Sequence, residues 1–168
     1  MKTHLTHGDT HMKGLKISKL FLFITVFSYG TAATAAPVQT QMGMSGDVEV
    51  DVIKTGILDN ILTVVLVYRN TGKAKAKIKY PVKEVYFIDD TEKKKYHVLK
   101  DSKNEWIGAP VARGQVGIGW SGGVSAMEIP VGGKKMVWFK FPAPPTAAKT
   151  INLVIPDVLP FEKLAVSR

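Results

Sequence analysis

The sequence predicts an all-β fold, an antiparallel β-sandwich of about seven strands. Three observations carry that prediction. Apolar residues recur with period 2 in several short stretches, and turn residues separate those stretches at regular intervals. Beyond the N-terminal leader, no stretch shows a 3.6-residue apolar period of helical length.

The first strand is Asp47–Gly56, "DVEVDVIKTG", with Val48, Val50 and Val52 on one face and Glu49 and Asp51 on the other. Leu58-Asp59-Asn60 supplies a hairpin turn into Asn60–Gly72, which is apolar on both faces and reads as a central strand. Asn70-Thr71-Gly72 ends it with turn residues. Lys83–Asp90 and Lys94–Asp101 form a second hairpin around the acidic turn Asp89-Asp90-Thr91-Glu92. In Lys134–Phe141, Val137, Phe139 and Phe141 point one way; in Lys149–Pro156, Ile151, Leu153 and Ile155 do. Pro142, Pro144 and Pro145 stop the aromatic strand and turn the chain, because proline cannot donate to a ladder. Their P-x-x-P spacing also suits an aromatic groove, but a structural corner is the simpler reading. The strand number and length are immunoglobulin-like in size.

The N-terminus reads as a cleaved signal peptide over residues 1–35. Lys13, Lys16 and Lys19 precede an apolar run, Leu20–Phe27, and then the small residues of Thr31–Pro37. Cleavage after Ala35 places Ala33 at the −3 position; Met12 is an alternative start. His4, His7 and His11 fall within this leader and carry no chemistry. The apolar run is shorter than the about 20 residues a membrane span needs. Residues 36–46 read as a flexible tether, and 47–168 as the domain. Removing four lysines and one aspartate from 23 basic and 14 acidic residues leaves a net charge of +6. The product is expected to be exported, periplasmic or secreted, with no transmembrane span. With no cysteine, its core must suffice without disulfides.

The motifs that suggest chemistry do not hold together. Gly117 to Gly122 matches G-x-G-x-x-G, but Gly123 and Pro130 follow where a phosphate-binding helix would have to begin. Gly119-Trp120-Ser121-Gly122-Gly123 matches a serine-hydrolase elbow, which makes Ser121 the nucleophile of a third-ranked serine hydrolase reading. His97, Asp101 and Ser121 stand too close in sequence for a protease triad. Met42, Met44, Met127, Met136 and His97 offer copper-type atoms without metal-site spacing, and Asp89-Asp90-x-Glu92 lacks the loop of a calcium site. No catalytic site, metal or organic cofactor is expected.

Two features carry binding hypotheses. Gly108–Gly133 holds eight glycines in 26 residues together with Trp120 and Met127, and Trp106 stands just before it. Trp106, Ile118, Trp120 and Met127 are therefore candidate partner-binding residues, unless Val116, Ile118 and Trp120 simply alternate inward on a further strand. Lys73, Lys75, Lys77 and Lys79 recur at every second position, which would place all four on one face of a strand. They read either as edge protection against aggregation or as a ladder for a polyanion such as an anionic glycolipid. No nucleic-acid partner is expected.

Residues Val48–Gly72, Val85–Asp101 and Ile129–Glu162 together resemble small exported bacterial immunoglobulin-like domains of unknown function. The landmarks are the Asn70-Thr71-Gly72 turn, the Asp89 turn, the Pro130-Val131-Gly132 turn before an aromatic strand, and Phe141–Pro145 followed by Pro160-Phe161-Glu162. The resemblance implies an adhesive or assembly module without catalytic residues, in some relatives an accessory subunit of envelope or secretion complexes. The expected function is protein–protein contact in the cell envelope, with polyanion binding as the alternative.

Overall fold

The computed structural model describes residues 37–111 and 123–168. Ten strands among them form three antiparallel sheets. In chain order they are β1 (Gln39–Met42), β2 (Val48–Leu58), β3 (Ile61–Asn70), β4 (Ala76–Pro81), β5 (Tyr86–Asp89), β6 (Lys94–His97), β7 (Val124–Ile129), β8 (Lys134–Pro142), β9 (Thr150–Val154) and β10 (Phe161–Ala165). The first sheet runs β1-β2-β3-β8, the second β10-β9-β5-β6, and β4 pairs with β7 alone. The described residues contain no α-helix, and none of their helices is long and apolar enough to cross a membrane.

The two four-stranded sheets share one core. Val48, Val50 and Val52 of β2, Leu62, Val64 and Leu66 of β3, and Val137, Phe139 and Phe141 of β8 are buried from one side. Phe87, Ile151, Leu153, Phe161 and Leu164 meet them from the other. Phe87 and Phe141 join the sheets edge-to-face, their ring centroids 5.3 Å apart. The inward faces match the period-2 reading of β2, β3, β8 and β9, because alternation alone sorts side chains to the two faces of a strand.

Hydrogen bonds close both flanks. Leu159 N–H donates to Met42 O (3.0 Å) and Gln41 Nε2 to Pro160 O (3.0 Å), tying β1 to the approach to β10. On the opposite flank Leu99 N–H donates to Lys140 O (2.9 Å), and Lys140 N–H to Gly108 O (2.7 Å). Asn70 secures the small sheet: its buried amide donates to the carbonyls of Ala74, Ile129 and Pro130, and its Oδ1 accepts from Gly72 N–H.

Three strands were absent from the sequence reading: β1, β7 and β10. The segment expected to be a tether is partly structured, since Gln39–Met42 pairs with Val52–Glu49 of β2. Its polar residues gave no alternation to read; backbone pairing and the Thr40–Asp51 hydrogen bond (2.7 Å) hold it. In β10 a register shift between Phe161 and Leu164, with Lys163 at φ +50°, breaks the apolar period. The Asp59-Asn60 turn between β2 and β3 has both residues at positive φ (50° and 60°), the geometry of a two-residue hairpin.

Strand β8 runs one residue past Phe141, to Pro142 opposite Ile61, and local bonds hold the corner that follows. Pro144 is buried, and Pro145 O accepts from Ala148 N–H (3.0 Å) and from the Arg168 guanidinium (2.7 Å).

Candidate functional site

The outer face of the first sheet follows from the same alternation that fills the core. If Val137, Phe139 and Phe141 point inward, then Lys134, Met136, Trp138 and Lys140 point outward. The register sets Met136 beside Val67 and Trp138 beside Val65 on β3. Met136 is 62% and Trp138 37% exposed, while Val65 and Val67 are half-buried. Charged residues frame this apolar centre. Lys140 stands beside Thr63, and Lys134 beside Arg69.

Arg69 belongs to a network that stiffens one end of the face. Its guanidinium donates to Asp51 through Nε (2.6 Å) and through a terminal nitrogen (3.1 Å), and it pairs with Glu49 at 2.6 Å. The Arg69 hydrogen bonds hold the Asp51 carboxyl below the ordinary carboxylate range; burial opposes them, and the Thr40 hydroxyl and Lys134 add to them. Asp51 in turn raises the Arg69 pKa further.

A second feature lies at the end of the core, where the turn after β1 meets β4. A recess of about 140 Å3 opens there, with Val48, Ile78 and Val158 on its walls and Lys77 and Asp157 among its lining residues. Tyr68, 1% exposed, also lines it. The hydroxyls of Tyr68 and Tyr80 are buried and face each other in the core, with the Ser125 hydroxyl beside that of Tyr80. Burial raises the pKa of both phenols, that of Tyr68 well above its ordinary value.

The lysine series is not one continuous strand face. Only Lys77 and Lys79 lie in β4; Lys73 and Lys75 precede it, because Asn70 captures Ala74 O and holds the chain in a bend. All four are exposed, and β7 sets Glu128 opposite Lys77. Lys75 Nζ reaches the Glu128 carboxylate at 2.6 Å, and this bond, with the charges of Lys75 and Lys77, lowers the Glu128 pKa.

The candidate contact residues separate as follows. Trp106 is half-buried against the core, with Lys100 Nζ 4.1 Å from its ring centroid. Met127 lies on β7, its backbone opposite Ile78 and its side chain packed inward, since β7 alternates where the sequence suggested a presenting loop. Ile118 and Trp120 lie outside the described residues, as does Ser121.

Elsewhere the side chains that could do chemistry are held by local bonds. The Asp89 carboxylate accepts from Thr91 and Glu92 N–H, which makes the acidic turn an Asx-type turn. Asp101 accepts from Lys103 and Glu105 N–H, and His97 Nδ1 sits 3.2 Å from Lys83 O. Among the described residues, no group of three His, Cys, Asp or Glu side chains is placed to hold a metal.

In the sequence Met136 stands out only as a metal-type atom, and neither Trp138 nor Tyr68 stands out as a site residue. The outward direction of Trp138 was implicit in the alternation; the recess had no local signal, because its residues come from four separated segments. Compared with family models, curated proteins and solved structures, the chain finds no significant match.

Proposed function

We propose that the chain is a non-catalytic binding module of the cell envelope, an exported immunoglobulin-like β-sandwich that works through protein–protein contact. Its role would be that of an accessory subunit in a larger envelope or secretion assembly, with the outer face of the β1-β2-β3-β8 sheet as the contact surface. One observation carries this reading: Met136 and Trp138 stand exposed on one face beside Val67 and Val65, inside a frame of Arg69, Lys134 and Lys140. An aromatic and methionine centre within a charged rim is the composition of protein interfaces, where such residues supply most of the binding energy. The leader-like N-terminus and the resemblance to exported domains support the location.

The test is affinity capture of the full chain from crosslinked cells, with captured proteins identified by mass spectrometry. A defined set of envelope proteins should accompany the wild type and Leu58→Ser, a change at an exposed hairpin residue. The Met136→Ser/Trp138→Ala variant should lose that set. Retention of every partner by the double variant would remove this face from the proposal.

The polyanion alternative rests on the exposed lysines of β4 and the preceding bend. Glu128 weighs against it by supplying a counter-charge where a phosphate would bind. Recovery of anionic glycolipid alone, with loss on changing the four lysines to Gln, would put it first.

A further inference from the structure

We propose that the open edge of β8 binds an extended acidic segment of a partner protein as an added antiparallel β-strand. This mode of contact rests on the outer-face reading above and states how the partner meets that face.

Strand parity sets the first limit. β8 is the last strand of its sheet, with β3 as its neighbour. Successive residues of an antiparallel strand turn their N–H and C=O groups to opposite sides. Gly133 O accepts from Asn70 N–H, toward β3 (3.0 Å). Lys140 N–H donates to Gly108 O and Lys140 O accepts from Leu99 N–H, both away from β3. The β3–β8 register is unbroken, so Trp138 and Met136, at even separation from Lys140, also turn their backbone groups away from β3. Among the described residues, no hydrogen bond meets those groups, because the closing bonds stop at Lys140. The other edge of the sheet differs. There Leu159 N–H donates to Met42 O and Met44 N–H to Asp157 O, so the 157–159 segment covers β1 and the turn after it. An uncovered row of ladder groups is a template for an extended chain.

Side chains set the second limit. Lys134, Met136, Trp138 and Lys140 share the outer face of β8, and Lys135 is exposed as well. An added strand gains by setting apolar residues beside Met136 and Trp138 and acids beside the lysines. β8 contains Lys134, Lys135 and Lys140 and no acidic residue. A second copy of this chain on the same edge would gather both copies' lysines on one ribbon, where like charges repel. An acidic strand from another protein gains where a second copy loses.

The test uses the full chain, 15N-labelled, and the capped peptide Glu-Thr-Val-Thr-Val-Thr-Glu, whose valines fall opposite Met136 and Trp138. In the free chain, amide exchange should be fast at Met136 and Trp138 and slow at Val137 and Phe139. The peptide should give saturable shifts along Lys134–Trp138 and slow the exchange of Met136 and Trp138. Methylating both valine amides, which face β8, should weaken it at least about tenfold, and methylating two threonine amides should change little. Met136→Ala should keep the peptide, whereas Met136→Pro, which removes an edge-facing donor, should lose it. Proline is tolerated on edge strands, and protected Val137 and Phe139 amides would report an intact β3–β8 ladder in that variant. Slow exchange at Met136 and Trp138 in the free chain, no saturable shift at millimolar peptide, or equal binding by Met136→Pro and Met136→Ala would each overturn the proposal. In crosslinked cells Met136→Pro should lose the captured partners. Their retention, with loss by Met136→Ser/Trp138→Ala, would overturn strand addition and leave the outer-face reading standing.

Discussion

Arg69 on β3 reaches diagonally across the first sheet to grip Asp51 on β2 through two hydrogen bonds, 2.6 and 3.1 Å long. Asp51 is 7% exposed, so its carboxylate is kept out of water and depends on these donors and on Thr40. Asp51→Asn keeps the shape, loses the charge-assisted bonds and should cost about 1–3 kcal/mol at pH 7.

The same pair predicts a pH dependence. The folded-state pKa of Asp51 is depressed, first by the Arg69 hydrogen bonds. Its contribution is therefore fully present above the unfolded carboxylate value of about 3.9 and is lost as pH falls through the folded value. Urea denaturation of wild type and Asp51→Asn should show a constant difference from pH 7 to about 5 and a shrinking one below about 4. A difference unchanged down to pH 2 would show that the ion pair contributes nothing.

Asn70 makes a different kind of prediction. Its one amide group serves three carbonyls that belong to the bend before β4 and to the end of β7. Asn70→Ala leaves those carbonyls short of a donor in a buried place and should destabilise by about 2–3 kcal/mol. Amide exchange should speed up first in β4 and β7, while the β5–β9 pairing retains its protection.

Gly108→Ala tests the closure of the β8 flank. A Cβ there would stand 2.5 Å from Lys140 O and 2.9 Å from Leu99 N, both backbone atoms in the closing hydrogen bonds. Neither can swing aside as a side-chain tip could. The expected cost is about 1–3 kcal/mol, with faster exchange at the Leu99 and Lys140 amides. Wild-type exchange rates at both would count against closure by this contact.

Phe87 and Trp138 should respond oppositely. Phe87 is fully buried, stacked on Tyr96 at 4.7 Å and edge-on to Phe141. Phe87→Ala should cost about 3–5 kcal/mol. Trp138→Ala removes a large ring from a solvent-facing position and should leave stability within about 1 kcal/mol of wild type, while weakening partner capture. Denaturation and capture on the same samples separate the two effects.

Much of the fold was legible because its strands are amphipathic on a period of two. Val48, Val50 and Val52, or Val137, Phe139 and Phe141, name their own inward face, and Asp59-Asn60 names its turn. Strand β1 was not legible because Gln39-Thr40-Gln41-Met42 is held by β2's backbone and by Asp51, neither of which leaves a mark in those four residues. The lysine series shows the converse. Spacing put four ammoniums in line, but the Asn70 bend takes Lys73 and Lys75 out of the strand, and β7 sets Glu128 among the rest.

By itself the sequence determined the all-β class, the inward faces of the long strands and the proline corner after Phe141. These depend on side-chain alternation and on backbone limits local to a few residues. Tertiary structure decided which outward face stays open, leaving Met136 and Trp138 exposed while Trp106 and Met127 turn toward the core. It also assembled the recess around Tyr68 from the 43–48 turn, β3, β4 and the 157–158 segment. Such sites arise from strand pairing and sheet packing across long separations, where no local pattern in the chain carries the information.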